Sequence, residues 1–229
     1  MPKKPDLNLI VTEDGSHSLS VPELDETYHS SHGAIQESNH VFIKHGLLHW
    51  LKENPDKPIK IFEVGFGTGL NAFLTILQSE SLKTNIYYKS IELYPIEKEL
   101  ANQLNYPRQL NQIETLFTAL HNADWEKPIK ISNRFTLHKT KASLLNFKFS
   151  ETYDLIYFDA FAPSKQPELW EYPIIEKCYQ ALNKNGIFVT YSAKGQLKRD
   201  LQKASFELET LPGPPGKFEM VRAIKRRKF

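Results

Sequence analysis

The sequence predicts an α/β fold with a mostly parallel central sheet, an antiparallel strand at its C-terminal edge and a small N-terminal extension. Three observations support this prediction. Four apolar stretches are rich in β-branched and aromatic residues, helical patterns lie between them, and 229 residues with 40% hydrophobic content suffice for one such core. Strands that alternate with helices at this spacing imply βαβ crossovers and therefore parallel pairing.

The first half of the chain supplies the extension and the first predicted strands. Residues 1–45 are expected to form an irregular or hairpin-like extension that packs on a domain formed by residues 46–229. The strand IKIFEV is followed by the helix LNAFLTILQ. The strand NIYYKSIEL is followed by the helix PIEKELANQL, with Pro95 near its start. A weaker strand, RFTLHK, comes next.

The second half continues this alternation and then departs from it. The strand YDLIYFDAF leads into a helix over PELWEYPIIEKCYQALNKNG, whose end is predicted at Asn185-Gly186. The strand GIFVTYS is followed by the helix GQLKRDLQKA. SFELETL and KFEMVRAIK are joined by PGPPG without a helix, which predicts an antiparallel addition at the sheet edge.

The composition excludes several classes of protein. No apolar run approaches the roughly 20 residues of a membrane span, and the N-terminus lacks the apolar core of a signal peptide. Cys178 is the single cysteine, so a cytoplasmic protein without an internal disulfide and without membrane contact is expected. The net charge of +2 is uneven, because residues 184–229 carry eleven Lys and Arg against four acids. This basic end favours a polyanionic partner.

A glycine-rich turn follows the first strand, in the stretch EVGFGTGLN. Gly65, Gly67 and Gly69 allow a sharp turn and the close approach of a ligand, and the next helix offers free N–H groups. The spacing differs from the dinucleotide fingerprint G-x-G-x-x-G, and a carboxylate at Glu63 suits a ligand that carries an ammonium better than a pyrophosphate. Glu92 ends the second strand, where an acid can accept hydrogen bonds from a ribose.

These residues resemble motif I of the Rossmann-like class I S-adenosylmethionine-dependent methyltransferases. In that family the turn holds the methionine moiety and the acid after the second strand holds the ribose. The resemblance therefore implies that S-adenosylmethionine binds at Glu63, the three glycines, Asn71 and Glu92. Family members often hold adenine with an acid or amide after the next strand. Here that stretch reads LHKTKASL, so Lys141 and the backbone around Ala142 are expected at this position.

A second group of candidate residues lies in YDLIYFDAFAPSKQPELW. Asp159 is placed where the third strand ends, at the edge where open α/β sheets bind ligands. A carboxylate there can contact the cofactor, orient an ammonium and accept its proton, and Phe161 can stack on a base or a cation. Asp154, at the other end of the strand, and Trp170 are interpreted as structural. The pattern predicts catalysis on an amine.

Four motifs extend the resemblance over about residues 20–225: DETYHSSHGAIQESNHVFI, FDAFAPSKQPELW, TYSAKGQLKRDLQKASF and PGPPGKFEMVRA. They are similar to the methyltransferase domain of the bifunctional tRNA 5-methylaminomethyl-2-thiouridine biosynthesis enzymes. The resemblance implies methylation of the exocyclic amine of 5-aminomethyl(-2-thio)uridine at the tRNA wobble position. The chain resembles a stand-alone form of that domain, so FAD is not expected.

Basic residues of the C-terminal third are the candidates for contact with tRNA: Lys194, Lys198, Arg199, Lys217 and Arg222. No metal is expected, because direct methyl transfer needs none and the spacing of His40, His45 and His49 does not place them on one helical face. Two alternatives remain open: an aminopropyltransferase-like enzyme acting on a small amine, and a non-catalytic module that binds tRNA or the cofactor. An NAD-dependent oxidoreductase is disfavoured by the glycine spacing.

Overall fold

The computed structural model describes residues 4–226. Arg227 and Lys228, which belong to the predicted basic end, lie outside this range. The strands are β1 (Asn8–Val11), β2 (His17–Val21), β3 (Glu26–Thr27), β4 (Ile59–Val64), β5 (Ile86–Ile91), β6 (Pro128–Lys130), β7 (Phe135–Thr140), β8 (Tyr153–Phe158), β9 (Leu182–Thr190), β10 (Glu207–Pro212) and β11 (Glu219–Ile224). The α-helices are α1 (Ala34–Ser38), α2 (Leu48–Glu53), α3 (Leu70–Leu82), α4 (Lys98–Ala101), α5 (Tyr106–Gln109), α6 (Glu114–Asn122), α7 (Tyr172–Ala181) and α8 (Gly195–Lys203).

The central sheet has eight strands in the order β10-β11-β9-β8-β4-β5-β7-β6. The five strands from β9 to β7 pair in parallel, while β11 and β10 add antiparallel strands at one edge and β6 does so at the other. The predicted α/β class, the parallel core and the antiparallel C-terminal edge are confirmed. The carboxyl ends of the parallel strands meet at one edge of the sheet, which is the edge that carries the predicted site residues.

Helices cover both faces of this sheet, because successive residues of its apolar strands point to opposite sides. Ile61 and Tyr157 pack in one cluster with α3, α6 and the helical segment before β4. Phe62 and Phe158 pack in the other cluster with α7 and α8. No helix within residues 4–226 is long and apolar enough to cross a membrane.

The N-terminal residues form a small three-stranded antiparallel sheet that contacts the body of the fold. The backbone N–H of His17 donates to Asn105 Oδ1 at 2.8 Å, and Leu19 is fully buried in the first cluster. A helical segment then runs through α1, a π-helical stretch (Asn39–Leu47) and α2. This segment crosses residue 45, and the division into two units there remains a prediction.

Two helix predictions were wrong in extent. The helix predicted to end at Asn185-Gly186 ends at Ala181, and β9 begins at once. Asn185 has a left-handed φ of 63°, but the register of the β8–β9 pair shifts here, and the Asn185 N–H donates to Lys225 O at 2.8 Å. The Asn-Gly pair therefore marks an irregularity inside a strand, not a helix end. The helix predicted from Pro95 begins only at Lys98.

The π-helical stretch also corrects the prediction about the histidines. In a π-helix the backbone hydrogen bonds join residues five apart, so His40 and His45 come together, with ring centroids 4.7 Å apart. The His40 Nε2 atom lies 2.8 Å from Pro212 O. Within residues 4–226, no group of three or more His, Cys, Asp or Glu side chains has the arrangement of a metal site.

Candidate active site

A cavity of about 250 Å³ opens at the carboxyl ends of β4, β5, β8 and β9. It is lined by residues from the glycine turn, from the ends of β5 and β8, and from the N-terminal segment. The predicted site residues that line it are Gly65, Gly67, Asn71, Glu92, Ala142, Asp159, Phe161 and Lys217. The fold therefore brings the two predicted groups, the glycine turn and the acid-aromatic loop after β8, into one cavity.

All three glycines of the turn have left-handed backbone angles, with φ of 89°, 52° and 74° at Gly65, Gly67 and Gly69. L side chains rarely adopt this conformation. A Cβ on Gly65 would lie 2.9 Å from the backbone oxygen of Asp159, so the turn packs directly against the end of β8. The glycines thus allow the chain to turn from β4 into α3 next to Asp159, the candidate catalytic residue.

Glu63 is fully buried at the end of β4. Ser90 Oγ donates to its Oε2 at 2.6 Å, while its Oε1 has no hydrogen-bond partner among the described residues. Burial raises the pKa of Glu63 to about 8, against the hydrogen bond from Ser90, which lowers it. A buried carboxyl group with one free oxygen is suited to an incoming cation.

Asp159 and Asn71 are joined by a hydrogen bond in which Asn71 Nδ2 donates to Asp159 Oδ2 at 2.8 Å. Burial raises the pKa of Asp159 to about 7, and the negative charge of Glu37 acts in the same direction. The Asn71 hydrogen bond and the positive charge of Lys217 lower it. Asp159 is therefore fixed in orientation and titrates near neutral pH, which suits a group that gains and loses a proton.

Glu92 links the turn to the end of β5. Its Oε2 accepts from the Gly67 N–H at 3.1 Å, and its Oε1 accepts from the Tyr94 N–H at 2.8 Å. Burial raises its pKa, opposed by these backbone hydrogen bonds. The backbone of Ala142, on the next strand end, donates to Glu92 O at 3.2 Å. These contacts hold the predicted ribose and adenine residues side by side.

Aromatic side chains wall the part of the cavity next to Asp159. Phe161 packs edge-on against Tyr28, with ring centroids 5.2 Å apart. Trp170 is buried, and its Nε1 donates to Phe161 O at 2.8 Å, which agrees with its predicted structural role. The Tyr191 hydroxyl donates to Ala160 O at 2.8 Å. The loop after β8 is thus fixed by two side-chain donors to its backbone.

An ion pair between Lys217 and Glu37 closes another side of the cavity. Lys217 comes from the loop between β10 and β11, and Glu37 comes from α1. Glu37 is buried, and its Oε2 accepts from the Ser30 N–H at 2.7 Å. The Lys217 ammonium also lies 4.5 Å from the ring centroid of Tyr191.

Glu63 and Gly69 are not among the residues that line this cavity, and several other predicted residues lie away from it. The Lys141 side chain is exposed and lines a neighbouring cavity, and its backbone N–H donates to Glu126 Oε1 at 2.7 Å. Arg222 is buried, paired with Glu209 and bonded to His45 O, so it is not presented at the surface. Lys194, just before α8, and Arg199, within α8, are both exposed. Lys198 pairs with Glu219.

Tyr28 and Tyr191 were missed as site residues. Tyr191 directly follows β9, so the strand-end reasoning that selected Glu92 and Asp159 applies to it equally. Tyr28 lies over the glycine turn, since a Cβ on Gly67 would be 3.2 Å from its ring. Tyr28 belongs to the motif DETYHSSHGAIQESNHVFI, but nothing in that motif singles it out, because its position depends on how the N-terminal sheet packs.

The cavity fits S-adenosylmethionine, which the glycine motif implies. Glu63 Oε1 and Asn71 Oδ1 are buried and have no partner within residues 4–226, so both can accept from the ammonium of a ligand. The three glycines are left-handed, and a Cβ on any of them would lie within 3.2 Å of other protein atoms, so this tightly packed turn requires glycine. Glu92 lies where a ribose can be held.

A family model described as S-adenosyl-L-methionine-dependent methyltransferase matches residues 108–226, just over half of the chain. The chain therefore belongs to the S-adenosylmethionine-dependent methyltransferases. The tRNA 5-methylaminomethyl-2-thiouridine biosynthesis bifunctional protein MnmC of Leptospira borgpetersenii is 29% identical over 211 residues, covering 86% of this chain and 32% of that protein. Its counterpart in Methylobacillus flagellatus is 29% identical over 208 residues, with the same coverage of 86% and 32%. The predicted resemblance to this group is confirmed, and the chain spans about a third of the length of these relatives.

Solved structures confirm the predicted Rossmann-like class I methyltransferase fold. MNMC2 from Aquifex aeolicus matches 99% of this chain and 72% of its own, with 21% identity and a TM-score of 0.79. Human methyltransferase-like protein 13, solved in complex with SAH, matches 84% of this chain and 82% of its own, with 16% identity and a TM-score of 0.50. At these identities the likeness concerns the fold alone.

Proposed function

We propose that this protein transfers a methyl group from S-adenosylmethionine to the exocyclic amine of 5-aminomethyl(-2-thio)uridine at the tRNA wobble position, forming 5-methylaminomethyl(-2-thio)uridine. The observation that carries the proposal is that Asp159, fixed by Asn71, lines one cavity with the glycine turn, which follows directly after the buried Glu63. A carboxylate suited to an amine thus adjoins residues suited to the cofactor. The name of the similar bifunctional proteins supports tRNA as the substrate.

The difficulty of this reaction lies in the acceptor. With lysine's pKa of about 10.4 as a guide, an alkyl amine at pH 7 is almost entirely protonated and has no free electron pair. The acceptor nitrogen must lose a proton before it forms the bond to the methyl carbon, as the carbon–sulfur bond breaks and its electron pair stays on sulfur. Asp159, with its pKa raised to about 7, takes this proton in our proposal.

The remaining residues of the cavity orient the partners. Glu63 and Glu92 hold the cofactor, and Phe161 with Tyr28 forms an edge against which a uridine base can pack. Holding two reactants in line supplies a large part of the rate in such a transfer, since the sulfonium methyl is already electrophilic. The proposed reaction needs neither FAD nor a metal ion.

The basic residues near the N-terminus of α8 are the proposed contacts with the tRNA backbone. Tyr191 lines the cavity and Lys194 follows three residues later, so the start of α8 lies close to the cavity edge. Lys194 and Arg199 are exposed there, and Lys198 remains half-buried beside Glu219. Arg222 is left out of this surface because it is buried.

The proposal is tested by incubating the protein with methyl-labelled S-adenosylmethionine and tRNA from cells that accumulate 5-aminomethyluridine, and by analysing the nucleosides. We expect label in 5-methylaminomethyluridine, and none in tRNA whose wobble amine is already methylated. A parallel incubation with decarboxylated S-adenosylmethionine examines the aminopropyl alternative, whose product has a different mass. Absence of label from the wobble uridine, with the cofactor bound, would contradict the proposal.

A further inference from the structure

The ion pair between Lys217 and Glu37 is built into the wall of the cavity beside Asp159. The two residues lie on elements far apart in the sequence, and both line the cavity. The Lys217 side chain is 29% exposed and that of Glu37 is 7% exposed. Such a pair is withdrawn from water at a cost, so its retention at a substrate cavity calls for an explanation.

Each partner is held in place by a further contact. Glu37 Oε2 accepts from the Ser30 N–H at 2.7 Å, and Glu37 Oε1 pairs with Lys217. The ammonium of Lys217 lies over the ring of Tyr191, 4.5 Å from its centroid. Tyr191 is itself fixed by its hydrogen bond to Ala160 O, next to Asp159. The charge of Lys217 is therefore presented to the cavity from a defined position.

The acceptor site has a conflict between binding and reactivity. Carboxylates around the cavity attract an ammonium, but they also hold it in the protonated form, which cannot accept a methyl group. A fixed cation close to the amine has the opposite effect, since it favours loss of the proton. A fixed cation that lines the same cavity as Asp159 also favours the ionised carboxylate, which is the form that accepts a proton.

We propose that Lys217, held by Glu37 against Tyr191, is a positioning residue of the acceptor site that favours the ionised form of Asp159 and disfavours the protonated form of the acceptor amine. This inference rests on the proposed methylation of an amine. The two partners act on the pKa of Asp159 in opposite directions: Glu37 raises it and Lys217 lowers it. Without Lys217, the charges of Glu37 and Asp159 in the cavity wall would lack this compensating cation.

The groups that influence Asp159 come from every element around it. In this set Lys217 is the cation and Asn71 is a neutral hydrogen-bond donor, whereas the other members are acids or phenols. Within residues 4–226 this set comprises Glu37 of α1, Glu63 of β4, Asn71 of α3, Tyr88 of β5, Tyr191 after β9 and Lys217.

The inference is tested without any substrate, by NMR titration of the free protein labelled with ¹³C at the aspartate carboxyl carbons. Asp159→Asn assigns the Asp159 signal. We expect Lys217→Met to raise the midpoint of Asp159 by about one pH unit, because an opposite charge that lines the same cavity is lost. Glu37→Gln should lower it, and the double variant should lie between the two single variants. Lys217→Arg, which keeps the charge, should stay near the wild type.

The matched control is Lys184→Met, an exposed lysine in β9 at the end of the strand away from the cavity, which should leave the midpoint unchanged. An unchanged Asp159 midpoint in folded Lys217→Met would overturn the inference. If that variant does not fold, an unchanged midpoint in Glu37→Gln would overturn it.

The rate of methyl transfer provides a second readout. The acid limb of its pH profile should move upward in Lys217→Met, with the affinity for S-adenosylmethionine unchanged, whereas a merely structural role would lower the rate at all pH values alike. Failure of the wild type to methylate 5-aminomethyluridine would refute the proposed function and leave the titration intact. Methylation by the wild type, with no shift in Lys217→Met, would refute this inference alone.

Discussion

The backbone conformation of Gly67 restricts which side chains the glycine turn can accommodate at this position. Its φ of 52° is left-handed, and a Cβ there would lie 3.2 Å from the Tyr28 ring. We expect Gly67→Val to lower the affinity for S-adenosylmethionine by about tenfold or more, since strain of 1–3 kcal/mol in such a position must be accommodated by the turn. Titration calorimetry measures this directly.

The control for this variant is Gly195→Ala. Gly195 has no left-handed φ, and the nearest atom to an added Cβ is Arg199 Nη1 at 3.4 Å, an ordinary contact. The affinity of the Gly195→Ala protein for S-adenosylmethionine should match that of the wild type. A folded Gly67→Val protein with wild-type affinity would mean that the cofactor does not bind at the turn.

The burial of Glu63 makes the stability of the protein depend on pH. Its pKa rises from the ordinary 4.5 to about 8 on folding, so the neutral form is favoured in the fold. The stability that this group contributes is complete below about pH 4.5 and is lost as the pH rises through about 8. Glu63→Gln stays neutral, and its free energy of unfolding should therefore gain on the wild type between pH 5 and pH 8.

Urea unfolding at the two pH values measures this difference, and calorimetry should show that the same variant binds S-adenosylmethionine more weakly. A Glu63→Gln protein whose unfolding free energy differs from the wild type by the same amount at both pH values would rule out a neutral, buried Glu63 in the free protein. A variant of Asn71 cannot replace Glu63→Gln in this test, because Asn71 also forms a hydrogen bond with Asp159.

Residues at strand ends were predictable, and residues defined by distant partners were not. Glu63, Glu92 and Asp159 each follow or end an apolar strand, and parallel strands bring such positions to one edge. The pairing of Lys217 with Glu37 joins a late loop to an early helix, and no local pattern encodes it. The sequence thus predicted which residues could take part in the chemistry. Only the folded structure shows which residues lie next to them.

Helix α8 is the element to which the proposed tRNA contact is assigned. We expect Lys194→Glu with Arg199→Glu to weaken tRNA binding and to make its salt dependence shallower, because each lost phosphate contact removes about 0.7–0.9 from the slope of log K against log salt. Filter binding at several salt concentrations measures both quantities.

The control places the same charge change at the opposite end of the sheet. Lys52 and Lys57 are exposed at and after the end of α2, ahead of the start of β4, so Lys52→Glu with Lys57→Glu should leave the salt slope unchanged. Equal slopes in the α8 variant and the wild type would remove Lys194 and Arg199 from the interface.

The hydrophobic periodicity of the sequence predicted which segments are helices and which are strands. The residues at which these elements end depend on how the strands pair in the fold. The apolar pattern located four of the five strands of the parallel core, since burial on both faces needs continuous apolar runs, and the fifth, β7, was predicted as a weaker strand. Asn185-Gly186 looked like a helix end, yet β9 and the chain after β11 pair across it. The contact of His40 with His45 depends on a π-helical stretch that residue spacing alone does not indicate.

The cavity is assembled from the whole length of the chain. The N-terminal segment supplies Tyr28 and Glu37, the middle of the chain supplies the turn, and the C-terminal part supplies Asp159 and Lys217. The cofactor residues and the proposed acceptor residues therefore share one wall at Gly65, whose turn packs on the backbone of Asp159. The proposed proton acceptor, Asp159, and the proposed site of the methyl donor at the turn become neighbours only in the folded chain.

Single-turnover methyl transfer to tRNA carrying 5-aminomethyluridine, by Asp159→Asn protein with both substrates saturating, separates a proton-accepting Asp159 from a structural one. Asp154→Asn is the control, since Asp154 begins the same strand and accepts from the Lys60 N–H and Asn183 Nδ2 at the other end of the sheet. We expect Asp159→Asn to be slower by about 10²–10⁴ at pH 7 and to recover in part as the pH rises, because the free amine then forms unaided. A rate close to that of the wild type at pH 7 would contradict the role of Asp159, and a slow rate that does not recover at high pH would contradict its action as the proton acceptor.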